Sequence, residues 1–204
     1  LNSSLILSKL LADNKAGNLT PEQVRYAQTI HSAGNDLLAL INDILDLAKI
    51  EAGQTRMEID DVSLARLVHQ VVEPLKPLAQ EKGLRLEVEI EPGVPERIQS
   101  DEQRIAQILK NLLFNALKFT EQGEVRLRVY ASAPGSVSLA VRDTGIGIAA
   151  DQQEQMFEAF RQADGSMHRK YGGTGLGLSI SRNLAQLLGG SIGVQSTLGE
   201  GSVF

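Results

Sequence analysis

From Glu22 to Ala52 the sequence holds no proline and a single glycine, Gly34. Just ahead of it, Thr20 suits an N-cap, Pro21 the first helical position, and Gln23 completes a capping box. The pattern predicts one helix up to Gly53, ~48 Å long at the α-helical rise. Ile30, Gly34, Leu37, Ile41, Ile44 and Ala48 step by 4, 3, 4, 3 and 4, which is a heptad seam. Leu38, Leu40, Leu45 and Leu47 widen the apolar face beyond what one partner helix would cover. A shorter apolar-rich segment, Leu1 to Ala12, precedes it, joined by turn chemistry over Asp13 to Leu19. The expectation is an antiparallel hairpin whose wide face makes a four-helix bundle from two copies, a homodimer. The other arrangement open to it is a hairpin folded onto its own second domain. The first segment lacks an N-cap and is far shorter than its partner, so it is expected to continue upstream of Leu1. The last residues, "GSVF", are expected to stop just inside a strand.

After Gly53 the periodicity changes. Ser63 is placed to cap a helix through about Lys82, bent by Pro74 and Pro77. "LRLEVEI" (84–90) alternates as a half-buried strand, and Asp101 caps a further helix. "GEVRLRVYA" and "SVSLAVRDT" flank "SAPG" as a hairpin-like pair. A short helix over 151–157, a loop over 161–174, a helix over about 175–188 and two last strands, in "GGSIGVQST" and "GSVF", complete the pattern. The fold class expected is α+β: a helical hairpin over residues 1–53, then a mixed sheet with packed helices over 54–204.

Composition narrows the function. Net charge is −5 with no block of Lys or Arg, which argues against nucleic acid or an anionic membrane as main partner. There are 0 cysteines, which removes disulfides, thiolate chemistry and cysteine zinc sites and fits a reducing compartment. No apolar run reaches the ~18 residues of a membrane span, so no direct membrane contact is expected of this piece.

Three motifs carry chemistry. In "KNLLFNALKFT" (110–120), Asn111, Asn115 and Lys118 fall at i, i+4 and i+7, within ~60° on one helix face. Two amides and an ammonium thus line an otherwise apolar helix. "DTGIGI" (143–148) ends a strand in Asp143 followed by Gly-x-Gly, a tight bend that holds a carboxylate at a rim. "GGTGLGLSI" (172–180) is a glycine-rich entry to a helix, whose N-terminus offers N–H donors to an anion. It is neither a Walker loop nor a Rossmann fingerprint. Alone, each glycine motif is weak.

In this order, with "FEAFRQAD" (157–164) between the glycine motifs, they resemble the N, G1, F and G2 boxes of sensor histidine kinases, hybrid kinases especially. The wider group is the gyrase/Hsp90/histidine kinase/MutL superfamily, and the resemblance covers the whole chain. It implies a Bergerat-type ATP-binding domain over 54–204 and a dimerisation hairpin over 1–53. The activity implied is transfer of the ATP γ-phosphoryl group to a histidine and thence to a response-regulator receiver aspartate. By resemblance, Asn115 is the Mg²⁺ ligand, an amide oxygen suited to a hard cation. Lys118 would neutralise phosphate oxygens and Phe119 would lie along the adenine. Asp143 would accept from the adenine amine, with Ser202 helping through water. Gly145 and Gly147 would let the base approach closely, with Ile148 and Phe160 also at the ATP site. Arg161 or Lys170 would lie near phosphate, and Gly173, Thr174, Gly175, Leu176, Gly177 and Leu178 would cradle the phosphates. A cytoplasmic location follows from the same resemblance.

Asn111 stands where superfamily ATPases carry a glutamate, and an amide cannot act as a base. That favours phosphoryl transfer over hydrolysis. A superfamily ATPase and a non-catalytic nucleotide-binding scaffold are the alternatives. "LNSS" matches the end of the family's phosphoacceptor pattern, so the acceptor histidine is expected just upstream of Leu1, and the chain alone is expected not to autophosphorylate. His31 is expected to be an ordinary helix-surface residue. His69 and His168 are likewise not expected to be acceptors, although His168, in the loop, could sit near phosphate.

Overall fold

A computed structural model of the chain describes residues 1–161 and 174–204. The chain divides into two units, Leu1–Ala52 and Gly53–Phe204.

The first unit is two helices, α1 (Asn2–Asp13) and α2 (Pro21–Glu51). Leu5 lies against Gly34 and Ser8 against His31, so they run antiparallel. Asn14 ends α1 in the left-handed region, at φ 40°. Its amide then donates to Leu19 O (3.2 Å) and accepts from Leu19 N–H (3.1 Å), which closes the turn. The Thr20–Gln23 capping box starts α2, with both reciprocal bonds formed. Gly34 leaves α2 unbroken, and it has a packing reason. A Cβ there would stand 2.6 Å from the Leu5 side chain. Ile30, Leu37, Ile41 and Ile44 of the seam are exposed in the single chain, as are Ile6, Leu7 and Leu10 of α1. His31 departs from the surface position expected of it. It is half-buried between the helices, with Nδ1 3.2 Å from Ser8 Oγ and 3.1 Å from Leu5 O.

The second unit begins with β1 (Asp60–Ser63). The expected single helix to Lys82 is three pieces: α3 (Leu64–Val72), a 3₁₀ turn (Glu73–Leu75) and α4 (Lys76–Glu81). Pro74 and Pro77 each fall in the first turn of a new piece, where a missing N–H costs no bond. Ser63 precedes α3 but makes no side-chain cap bond. There follow β2 (Arg85–Ile90), β3 (Arg97–Ser100), α5 (Glu102–Phe119), β4 (Glu124–Ala133) and β5 (Ser136–Asp143). After them come α6 (Gly177–Leu187), β6 (Gln195–Thr197) and β7 (Gly201–Val203). The helix expected over 151–157 is only a 3₁₀ turn, Gln155–Phe157. The strand in "GGSIGVQST" is confined to its last three residues, because glycines weaken strand pairing ahead of them.

Among the described residues five strands form one sheet in the order β2-β4-β5-β7-β6. β2 and β4 are parallel and the other pairs antiparallel, so the sheet is mixed. β1 and β3 form a separate antiparallel pair, with Val62 opposite Ile98. Inward residues Val125, Leu127, Val129 and Val141 meet Leu109, Leu113 and Leu117 of α5 and Leu67 and Val71 of α3 in one core. Each such fully buried side chain contributes ~1.5–3 kcal/mol. The opposite sheet face is charged, with Arg85 paired to Glu124 and Arg126 to Glu87, both at 2.8 Å.

Both ends of α5 are fastened. At its start Asp101 Oδ1 accepts from Arg104 N–H and Oδ2 from Glu58 N–H, each at 3.0 Å. At its end an α-helix leaves its last four carbonyls without helical partners. Here all four are engaged. Ala116 O accepts from Thr120 N–H (3.1 Å) and Oγ1 (2.7 Å). Leu117 O and Lys118 O accept from Lys82 Nζ, at 2.6 and 3.2 Å. Phe119 O accepts from Ile146 N–H at 3.3 Å.

Candidate functional site

The amides on α5 have specific partners. Asn111 Nδ2 donates to Ser181 Oγ on α6 at 2.9 Å, and Asn115 Nδ2 donates to Asn111 Oδ1 at 3.4 Å. A Cβ at Gly177 would stand 2.3 Å from Asn111 Oδ1, so glycine there lets α6 approach α5 at this point. Farther along the stripe, Lys118 Nζ lies 5.0 Å from the centroid of the Phe119 ring. Burial holds the Lys118 ammonium below the usual lysine pKa. An anion at the site would favour its charged form.

The first glycine loop hangs from the end of α5. Asp143 closes β5 opposite Ser202 of β7, and only 6% of its surface is exposed. Gly145 N–H donates to its Oδ1 at 2.9 Å. Burial pushes the carboxyl pKa up, and the N–H groups of Gly145 and Ser202 pull it back. The space a side chain would need at Gly145 is taken by Phe119 O, 2.5 Å from a Cβ. At Gly147, φ is +66° and a Cβ would lie 1.9 Å from Thr197 O. These glycines therefore serve contacts within the protein. Ile148 N–H donates to Ser196 Oγ at 2.8 Å, and Ser196 Oγ also reaches Gly201 O (2.8 Å) and Ser202 Oγ (2.9 Å). Gln153 Nε2 donates to Ile148 O and Ser196 O.

The second glycine loop is described from Thr174 onward; Lys170, Gly173 and His168 lie outside the described residues. Gly175 has φ +71°, and its carbonyl accepts from Phe160 N–H at 3.1 Å. Phe160 is exposed and is itself left-handed, at φ 62°. Leu176 is fully buried, and its N–H donates to Thr174 Oγ1 at 3.2 Å. Gly177 and Leu178 begin α6, where no side chain caps the start. Arg161 pairs with Glu158 at 3.0 Å. Phe157 is buried edge-on to Phe204, with the Arg182 guanidinium 5.6 Å from its ring centroid.

The arrangement is thus a polar stripe on α5 held between two glycine loops. Asn111 is bonded to α6 at one end, and Phe119 to the Asp143 loop at the other. Among the described residues no cluster of three or more His, Asp or Glu side chains could hold a metal ion. A hard cation would depend on donors such as the Asn115 amide oxygen, whose nitrogen edge is already committed to Asn111. Ser181, Ser196, Gln153 and Lys82 escape the sequence motifs. Their one signal is a polar residue in an apolar or strand context, which is too common to single them out.

Residues 100–204 match the family of histidine kinase-, DNA gyrase B-, and HSP90-like ATPases, and residues 1–53 match the His Kinase A (phospho-acceptor) domain. The chain is 46% identical to the circadian input-output histidine kinase CikA of Synechococcus elongatus, over 92% of this chain and 25% of that protein. It is 41% identical to the signal transduction histidine-protein kinase BarA of Escherichia coli, over 91% of this chain and 21% of that one. It therefore spans a fifth to a quarter of the length of these relatives. Among solved structures, full-length ShkA in complex with AMPPNP matches with a TM-score of 0.83 and 38% identity, over 100% of this chain and 41% of ShkA. With a phosphoacceptor-type helical hairpin followed by an ATPase-like α+β domain, the chain belongs to the histidine kinase family of two-component signal transduction.

Proposed function

We propose that this chain is the core of a protein-histidine kinase that binds Mg-ATP over residues 54–204 and dimerises through the hairpin over 1–53. The γ-phosphoryl group passes to a histidine and then to the aspartate of a response-regulator receiver domain. The observation that carries this reading is the α5 stripe fixed between the two glycine loops. Asp143, ionised, accepts from the exocyclic amine of adenine, and Ser202 and Gly145 hold that carboxylate in place. Asn115 would hold Mg²⁺ through its amide oxygen, and the ion would supply positive charge to neutralise the phosphates. Lys118 adds a further positive charge. The stretch from Thr174 into the start of α6 offers main-chain N–H groups, such as that of Gly177, and the positive end of the helix to the phosphates, and Arg161 or Lys170 supplies a cation near them. In the transfer, a ring nitrogen of the acceptor histidine forms the bond to the γ-phosphorus as the bond to the ADP oxygen breaks. Nothing in that step needs a base at Asn111, whose amide is engaged by Ser181 and Asn115. Catalysis is then mainly positioning and charge stabilisation. The exposed apolar seam of α2 supports dimerisation, and the family supports a cytoplasmic site of action.

The test is titration with a fluorescent ATP analogue, with and without Mg²⁺, followed by incubation with γ-labelled ATP and a second chain carrying the acceptor histidine. Saturable binding strengthened by Mg²⁺, with acid-labile label on the second chain, is expected. Steady release of inorganic phosphate without an acceptor would favour an ATPase instead, and absence of nucleotide binding would leave only a scaffold.

A further inference from the structure

We propose that Lys82, from outside the nucleotide stripe, is a positioning residue for adenine recognition: it sets where the Asp143 carboxylate stands by clamping the end of α5. This rests on the kinase reading above, in which Asp143 accepts from the adenine amine. A carboxylate reads a base only while it is held in place, so the groups that hold it matter as much as the carboxylate itself.

Lys82 is itself firmly placed. It is the C-cap of α4, and the chain leaves that helix through Gly83 in the left-handed region, at φ +68°. Leu84 N–H returns to Ala79 O at 2.9 Å and Gly83 N–H to Gln80 O at 3.0 Å, the paired bonds of a Schellman ending. From there Lys82 Nζ donates to the carbonyls of Leu117, Lys118 and Thr120, at 2.6, 3.2 and 3.4 Å. An ammonium only donates and a carbonyl only accepts, so the sense of each bond is fixed. The three carbonyls bracket Phe119, whose own carbonyl is left for the Asp143 loop. Phe119 O accepts from Ile146 N–H at 3.3 Å and stands 2.5 Å from where a Cβ at Gly145 would be. Gly145 N–H in turn donates to Asp143 Oδ1 at 2.9 Å. Leu117 and Thr120 have no exposed surface. If the ammonium is removed, water reaches their carbonyls only as the helix end shifts. That shift moves Phe119 O against Gly145, and Gly145 carries the carboxylate with it.

The experiment uses the 204-residue chain and reads the preference for ATP over GTP, the ratio of their Kd values from displacement of a fluorescent ATP analogue in Mg²⁺. Lys82→Met is expected to lower the preference about tenfold, the lower end of what losing a hydrogen bond to a charged group costs. Lys82→Arg, which still donates to carbonyls, is expected to recover part of it. In an Asp143→Asn background, Lys82→Met is expected to change the preference by less than about twofold, because both act on one contact. Val62→Ala truncates a fully buried side chain in β1, opposite Ile98. It is expected to keep the parental preference, because loss of stability by itself weakens ATP and GTP binding alike. Parental preference in Lys82→Met would overturn the role of Lys82 alone. So would an equal fall in Val62→Ala, which marks a purely structural role, or full additivity with Asp143→Asn. A parent chain that binds no ATP analogue, or binds ATP and GTP equally, would overturn the adenine reading of Asp143 together with this proposal.

Discussion

Replacing Lys82 with methionine should loosen the end of α5 while leaving every side chain of the nucleotide stripe unsubstituted. Lys82 Nζ reaches Leu117 O at 2.6 Å and Lys118 O at 3.2 Å, with Thr120 O at 3.4 Å beyond them. Two of the four terminal carbonyls of the helix depend on it. A hydrogen bond to a charged group contributes ~1.5–3 kcal/mol when buried. Lys82 is itself exposed, so water replaces part of that. A cation at a helix C-terminus adds ~0.3–1 kcal/mol. Together these put the cost of Lys82→Met at about 2 kcal/mol. With a urea slope of roughly 2 kcal/mol/M for a domain of this size, the unfolding midpoint should fall by about 1 M. Peptides from residues 105–145, followed by hydrogen exchange along the urea series, report on the Gly53–Phe204 unit by itself. Exchange should also quicken at Ile146, whose N–H is bonded to Phe119 O at the same helix end. Lys82→Arg keeps the charge and should recover about half of the loss. A midpoint shift below ~0.3 M in Lys82→Met would refute the reasoning, because solvent would then be capping α5 as well as the ammonium does.

Asp143→Asn should separate stability from binding. Burial raises the Asp143 pKa, so ionising it costs more in the folded chain than in the unfolded one, and its contribution to stability falls as pH rises through the raised value. The asparagine variant should therefore gain stability relative to the parent between acid and neutral pH in thermal unfolding, while its preference for ATP over GTP falls ~10–100-fold, the equivalent of ~1.5–3 kcal/mol. Ile41→Glu puts a charge in the exposed α2 seam and should shift the chain toward monomer in sedimentation; an unchanged dimer would take the seam out of the interface. Incubated with γ-labelled ATP, the chain alone should take no acid-labile label at His31, whose Nδ1 faces Ser8 Oγ and Leu5 O; label there in peptide mapping would make it a true acceptor.

The elements most legible in the sequence were those with long periodic patterns and caps that act locally. α2 needs only Thr20, Pro21 and Gln23 to start, and α5 needs only Asp101. β1 and β3 were not legible, because four residues each leave too little alternation and their stability comes from each other across 33 intervening residues. At the site, the amide stripe follows from helical spacing alone. What each amide touches does not, because Ser181 is 70 positions from Asn111 and no local pattern couples them. The glycines show the same limit. Their spacing marks two loops, yet only packing shows that Gly147 makes room for Thr197 and Gly177 for Asn111.

The parallel pairing of β2 with β4 also bears on how the chain is made. Among the described residues β2 is an edge strand whose only neighbour in the sheet, β4, follows after β3 and α5. Synthesis at ~5–20 residues per second puts about 2–8 s between the emergence of β2 and that of its mate. During that interval Val88 and Ile90 have no sheet to join, and even in the finished fold both stay partly exposed. Glu87 and Glu89 alternate with them, so the waiting strand carries a charge at every second position. Such charges are how natural edge strands discourage pairing with a neighbouring nascent chain. Neutralising both would leave the finished sheet short of one ion pair, Glu87 to Arg126, but would remove the guard during translation, so its cost would fall on soluble yield more than on the stability of the folded protein.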